Sequence, residues 1–433
     1  MNEKYQPLFE PFTFRNGVTM KNRIVMAPLT NYSSHEDGTV SDAEIRYYSR
    51  RTTGVGMAIS ACIYVTENGK GFPGEFSGTR DEMIPSMRRV AAAMKEHGAK
   101  AVLQIFHAGR MAPPELVPNG DVVSASAVSD DMTKGVVPRA LTEEEILAII
   151  RGYGETTRRA IEAGFDGVEI HGANFYLLQQ FFSAHTNRRT DRWGGSLEKR
   201  LTFPLAVVDE VKRVVAQHAD CPFLVGYRFS PEEPFADGIT MEDTFALVDA
   251  LADRELDYLH VSLQDFWSKA RRGGDPERTR IEQIKERIGD RTALIGVGSI
   301  YTADHALAAI QTGVPLIALG RGIIIEPEWV EKVQNGEEQK IATTVNADAQ
   351  ERLEIPGPLW ERIMTVEGWF PVEKKYGRQI IGRQLIPYEI RNPDRSRESP
   401  MASASLAIPV SISVSLTLDT FNLRRFLFGK CFK

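Results

Sequence analysis

Short apolar runs alternate with longer amphipathic ones along most of the chain, and the unit repeats eight times. The runs at 24–27, 57–61, 101–105, 167–171, 223–228, 258–262, 293–297 and 316–319 are four to six residues long and do not alternate polar with apolar. That pattern suits parallel strands buried on both faces. Between them, Ser41 with Glu44, Thr142 with Glu145 and Thr240 with Asp243 place a hydroxyl three residues before a carboxylate, the spacing of a helix N-terminal capping box. After Thr142, Ile146, Ile149, Ile150, Tyr153 and Ile161 fall on a helical period, and the helix is predicted to stop at Gly164. Eightfold strand–helix alternation fits a closed barrel or a doubly wound open sheet. The count of eight, and the glycines ending the last two strands, favour the α/β class as a (β/α)8 TIM barrel.

Three segments lie outside that repeat. Asn16-Gly17 favours positive φ at both turn positions, so 12–20 reads as an N-terminal hairpin. Residues 111–140 follow the third strand, carry four prolines and few helix signals, and are expected to overhang the rim as a cap. The barrel is expected to occupy 1–340. Residues 341–395 read as a partly helical extension packed on its outside, and 396–433 as a poorly ordered tail.

Composition narrows the class. A net charge of −6, with no Lys/Arg-dominated block in the main body, argues against nucleic acid as a partner. The three cysteines, Cys62, Cys221 and Cys431, form no CxxC or Cys/His cluster, which excludes a disulfide framework and an iron–sulfur site built within the chain. No metal-ligand set stands at the strand ends. The first residues lack the apolar core of a signal peptide and no apolar run approaches membrane-spanning length, so the expectation is a cytoplasmic protein without membrane contact.

Barrels place chemistry at the C-terminal ends of their strands. There stand Pro28, Leu29 and Thr30, then Ala61, Gln104 with His107, His171 with Asn174, Arg228, Gly298 with Ser299, and Gly320 with Arg321. Most of the polar groups are hydrogen-bond donors. Such a rim suits an electron-rich, phosphate-bearing ligand, with the glycine pairs after strands seven and eight able to approach phosphate through bare backbone. Taken singly, Gln104 and Arg228 read equally well as buried hydrogen-bonding residues, and His171 as a satisfied core histidine. The segment Gly69-Lys-Gly-Phe-Pro-Gly74 satisfies GxGxxG but begins eight residues after a strand and opens no immediate helix, so it reads as a loop.

The run 171–200 (HGANFYLLQQFFSAHTNRRTDRWGGSLEKR) resembles the signature of the Old Yellow Enzyme family, the FMN-binding NADH:flavin oxidoreductases. NRIVMAPLT (22–30), QIFHAGR (104–110), VGYRFSP (225–231), GVGSI and ALGRG match it in the same order over about residues 5 to 335. The resemblance implies that Pro28, Leu29, Thr30 and Ala61 lie along the flavin ring of FMN. It places Gln104 at the pyrimidine edge, Arg228 where negative charge collects on reduction, and Gly298, Ser299, Gly320 and Arg321 at the phosphate. It gives His171 and Asn174 the activating carbonyl of the substrate and makes Tyr176 the proton donor to carbon.

The implied reaction carries hydride from NADH or NADPH through FMN to an electron-poor alkene (an enone) or quinone-like small molecule, in alternating half-reactions. Phe175 stands where many members have Gly, Phe106 where some have Trp, and Thr30 where one branch has Cys. The family's larger members append an iron–sulfur and dinucleotide domain, for which this chain lacks the cysteines. Two other readings stay open: a flavin-free phosphate-binding barrel lyase or isomerase, and a non-catalytic flavin-binding protein. A homo-oligomer is also left open.

Overall fold

The computed structural model describes residues 1–373. Eight strands run through it: β1 (Ile24–Met26), β2 (Met57–Ile59), β3 (Lys100–Phe106), β4 (Gly167–Gly172), β5 (Leu224–Phe229), β6 (Tyr258–Val261), β7 (Ala293–Val297) and β8 (Leu316–Leu319). Each pairs in parallel with the next, and β8 pairs with β1, so the sheet closes into a barrel. Closure leaves the barrel strands no open edge. The strands are buried along nearly their whole length, as the unalternating apolar runs require.

Helices α1 (Asp42–Arg51), α2 (Ile84–Lys95), α3 (Glu143–Glu162), α4 (Thr202–His218), α5 (Met241–Ala252), α6 (Arg280–Ile288) and α7 (Ala303–Gln311) follow successive strands in chain order. The three hydroxyl–carboxylate pairs are all reciprocal capping boxes, and Thr279 with Glu282 adds a fourth. Each satisfies backbone N–H groups that a helix start otherwise leaves unpaired.

Two apolar layers result. The larger lies between strands and helices; the smaller fills the barrel with Val25, Met57, Val102, Leu224, Tyr258, Ile295 and Leu316. Phe14 and Met20 of the N-terminal hairpin belong to this inner cluster and join it near Tyr258. The hairpin pairs Phe12–Thr13 with Thr19–Met20, but only Gly17 has positive φ (92°). Asn16 instead uses its side-chain oxygen to accept the Val18 N–H, which removes the need for a second left-handed residue.

At two places in the barrel wall a tyrosine lies against a glycine of the neighbouring strand, Tyr258 on the inner face and Tyr227 on the helix-facing side. A Cβ on Gly226 would sit 2.1 Å from the Tyr258 ring, and one on Gly172 would sit 2.1 Å from the Tyr227 hydroxyl. Only the missing side chains make room for these rings.

Residues 111–140 form 3-10 turns and a two-residue parallel pair, Val123–Ser124 with Arg139–Ala140. After β8 come α8 (Arg321–Ile325), α9 (Trp329–Gln334) and α10 (Gly357–Thr365). The extension expected on the barrel's outside packs partly there: buried Arg51 of α1 donates to the Leu353 carbonyl at 2.6 Å. It then goes further and brings Trp369 to the rim. The remainder of the extension and the tail at 396–433 lie outside the described residues. Among the described residues, no helix is long and apolar enough to cross a membrane.

Candidate active site

At the C-terminal rim two pockets, of about 390 and 370 Å3, adjoin through shared residues Pro28, Leu29 and Arg228. The first is also lined by Thr30, Gln104, His171, Asn174 and Tyr176, the second by Gly298, Ser299, Gly320 and Arg321. Thus twelve of the thirteen expected site residues line one continuous recess, counted from those two sets. Ala61 does not line it. Its N–H leaves the sheet to donate to the Tyr48 hydroxyl at 2.9 Å, ending β2 two residues early, and the next residue, Cys62, forms the wall instead.

His171 and Arg228 stand side by side in register on β4 and β5, with His260 of β6 next in the same row. His171 Nδ1 accepts the Ala173 N–H at 3.2 Å, which leaves the proton on Nε2. Burial and the Arg228 charge push its pKa down to about 3, so the ring is a neutral donor at physiological pH.

Asn174 follows at φ 57°, a left-handed conformation that asparagine tolerates. A short relay orients its amide: Arg228 donates to Ser262 Oγ at 3.3 Å, and Ser262 donates to Asn174 Oδ1 at 2.8 Å. The amide oxygen is thereby held toward Ser262 and Ser230, with the side chain on the wall of the pocket. Tyr176 packs edge-on against Phe106, with ring centroids 4.5 Å apart, and against His171 at 5.1 Å. Phe175, between them, holds φ 66° and packs on Phe235 instead of entering this wall.

On the opposite side Thr30 Oγ1 lies 3.7 Å from Cys62 Sγ, which donates to Glu75 Oε1 at 3.6 Å. Burial raises the Glu75 carboxyl to about 8 and pushes the Cys62 thiol far up. Glu75 Oε2 also accepts the N–H groups of Gly71 and Phe72, at 2.6 and 3.2 Å. The GxGxxG segment is therefore a loop folded around a carboxyl, and Gly69 abuts the His107 ring. His107 is buried and occupied: Nδ1 accepts the Gly109 N–H at 2.9 Å and Nε2 meets Asn68 at 3.2 Å.

In the second pocket Arg321 bridges two elements, donating to Ser299 Oγ at 2.7 Å and to the Trp369 carbonyl at 2.8 Å. A Cβ on Gly320 would meet nothing nearer than 3.6 Å and would project into the recess. Arg321, a serine and an open glycine cradle suit a phosphate. Neutral donors and Gln104 beside them suit a ring edged with carbonyl oxygens and N–H groups. The residues present fit FMN.

The sequence did not mark Tyr32, Cys62 or Trp369 as pocket residues, yet all three line it. Arg362 of α10 lies 4.0 Å over the Tyr32 ring, so the extension supports this wall as well as contributing Trp369. Cys62 carried a local signal, its place next to a strand end. Trp369 carried none.

Residues 7–340 match the model of the NADH:flavin oxidoreductase / NADH oxidase family. A probable NADH-dependent flavin oxidoreductase of Bacillus subtilis (strain 168) is 56% identical, over 86% of this chain and 99% of its own length. The NADH:acrylate oxidoreductase of Vibrio harveyi is 42% identical over 95% of this chain, which spans only 41% of that protein. Among solved structures, morphinone reductase in complex with tetrahydroNAD superposes with a TM-score of 0.66 at 29% identity, covering 76% of this chain and 91% of the other. The chain therefore belongs to the NADH:flavin oxidoreductase / NADH oxidase family and is an FMN-dependent oxidoreductase that draws on NADH or NADPH.

Proposed function

We infer that the enzyme reduces a carbon–carbon double bond conjugated to a carbonyl group, with NADH as the donor. The observation that carries this reading is the pair of side chains on β4 and its loop: His171 Nδ1 accepts from the protein, so its Nε2–H is a donor, and the Asn174 amide, oriented through its oxygen by Ser262, lines the same pocket. Two such donors stabilise the negative charge that grows on a carbonyl oxygen when hydride reaches the β-carbon. Tyr176, against the His171 ring, supplies a phenolic proton to the α-carbon; an ordinary phenol remains protonated at neutral pH.

FMN, when bound, supplies the hydride-carrying chemistry between nicotinamide and acceptor. Gln104 and Arg228 address its pyrimidine end, Pro28, Leu29 and Thr30 its ring, and Gly298, Ser299, Gly320 and Arg321 its phosphate. Donor and acceptor take turns in the pocket beside Tyr176 and Trp369. The names of the relatives support the acceptor class: acrylate, fumarate and morphinone each join a C=C bond to a carbonyl or carboxyl carbon. The B. subtilis, Vibrio and Klebsiella relatives carry NADH in their names.

Anaerobic titration with NADH and with NADPH, then with a panel of enones, tests the reading. Bleaching of the flavin band by NADH and its return on adding an enone are the expected results. Purified protein that takes up no FMN, or reduced protein that no enone reoxidises, would overturn it.

A further inference from the structure

Glu169 is buried on β4, two residues before His171 and so on the same, inward face of the strand. It lies in register with Gln104 of β3, and Gln104 Nε2 donates to its Oε1 at 2.7 Å. Its other oxygen takes His260 Nδ1 of β6 at 2.9 Å, and both of these side chains are fully inaccessible. Arg228, in the row with His171 and His260, is also fully buried, and the negative charge of Glu169 acts to keep it protonated. Burial lowers the pKa of His260, while His260 and Arg228 hold the Glu169 carboxyl down. One carboxylate thus balances one guanidinium inside the barrel, with His171 and His260 flanking Arg228 in its row.

Two consequences follow from elementary chemistry. A carboxylate has acceptors only, so Gln104 must give it the amide nitrogen and present its amide oxygen to the pocket. A negative charge beside Arg228 also weakens the pull of that arginine on any charge that develops at the rim.

We propose that Glu169 is a positioning residue for the flavin: it fixes Gln104 as an acceptor for the N3–H of the pyrimidine edge and offsets Arg228, holding the flavin's reduction potential down. This rests on the reading that Gln104 and Arg228 face the pyrimidine end of FMN. Reduced flavin carries negative charge at that end, so removing the nearby carboxylate charge favours reduction.

The test is anaerobic redox titration of the FMN-loaded protein, with FMN dissociation constants measured alongside. Glu169→Gln is expected to shift the reduction equilibrium toward reduced FMN by at least tenfold, about 30 mV upward for a two-electron couple. Glu169→Asp keeps the charge but is too short to hold Gln104; it is expected to leave the potential near wild type and weaken FMN binding several-fold. A folded Glu169→Gln protein with unchanged potential overturns the proposal. If Glu169→Gln does not fold, unchanged FMN affinity in Glu169→Asp overturns it instead. Wild-type protein that takes up no FMN would bring down the underlying reading as well, whereas a loaded wild type with silent variants refutes this inference alone.

Discussion

The pocket has two kinds of wall. On one side His171, Asn174 and Tyr176 lie within six residues at the end of β4, and each is held in place: His171 by the Ala173 N–H, Asn174 by Ser262 and Ser230 just beyond β6 and β5, Tyr176 by Phe106 of β3. On the other side Trp369 arrives from beyond the last barrel helix. Its segment is tied by the Arg321 bond to its carbonyl and by the bridge of Val345 with Val372, and it packs through buried Leu353, Ile355, Leu359 and Ile363. The first wall inherits its geometry from the sheet register, which is cooperative with the whole fold. The second depends on how the extension packs against the barrel's outside. In the proposed reading, chemistry sits on the first and shape selection on the second.

The largest effect should come from breaking the first wall. His171→Ala with Asn174→Ala is expected to slow acceptor reduction by about 10^3-fold or more, since each such donor is commonly worth 10^2–10^3. FMN content should be retained, and stopped-flow mixing of reduced enzyme with an enone measures the loss. Tyr176→Phe should cost about 10^2-fold with enones and leave quinones nearly untouched, because quinones need no proton on carbon; equal slowing of both would show that the hydroxyl has another role.

The side of the pocket around Thr30 has its own signature. Glu75 titrates near 8 in the folded protein against an ordinary 4.5, so the native state holds a proton that the unfolded chain has released. Its contribution is complete below about pH 4.5 and is lost as pH rises through 8, with a slope near 1.4 kcal/mol per pH unit between them. Denaturant melts of wild type and Glu75→Gln across that range should differ by that slope, and parallel curves would refute it.

Trp369→Ala touches only the second wall. The bond from Arg321 goes to the backbone carbonyl, so FMN retention should hold while KM for bulky acceptors shifts several-fold and kcat changes little. The smallest expectation is a null one. His171 is held near 3, so kcat/KM for the acceptor should show no limb of imidazole origin between pH 5 and 8. Stability runs the other way: what His171 contributes is full above its ordinary 6.5 and is lost as pH falls toward 3.

The barrel was legible because parallel strands buried on both faces read as uninterrupted apolar runs, and because the hydroxyl–carboxylate pairs mark helix starts. Strand ends were less so: β2 stops where Ala61 turns to Tyr48, a contact between residues thirteen positions apart. Two-residue strands such as Ile63–Tyr64 and Val123–Ser124 are too short to show a period. The β4 motif declared itself through spacing. Trp369 did not, since its place depends on how a whole extension folds back over the rim. Glu169 stood in plain view within β4, but its importance appears only when register sets it beside Gln104 and its second oxygen meets His260.

The two glycine–tyrosine contacts of the barrel wall bear on how the site can be reshaped. A side chain on Gly226 or Gly172 has no volume to occupy until Tyr258 or Tyr227 shrinks with it. These positions are therefore mutable only in pairs. A library directed at new acceptors gains by spending its diversity on Phe175, Phe235 and Trp369, and by leaving those four glycine and tyrosine positions as they are.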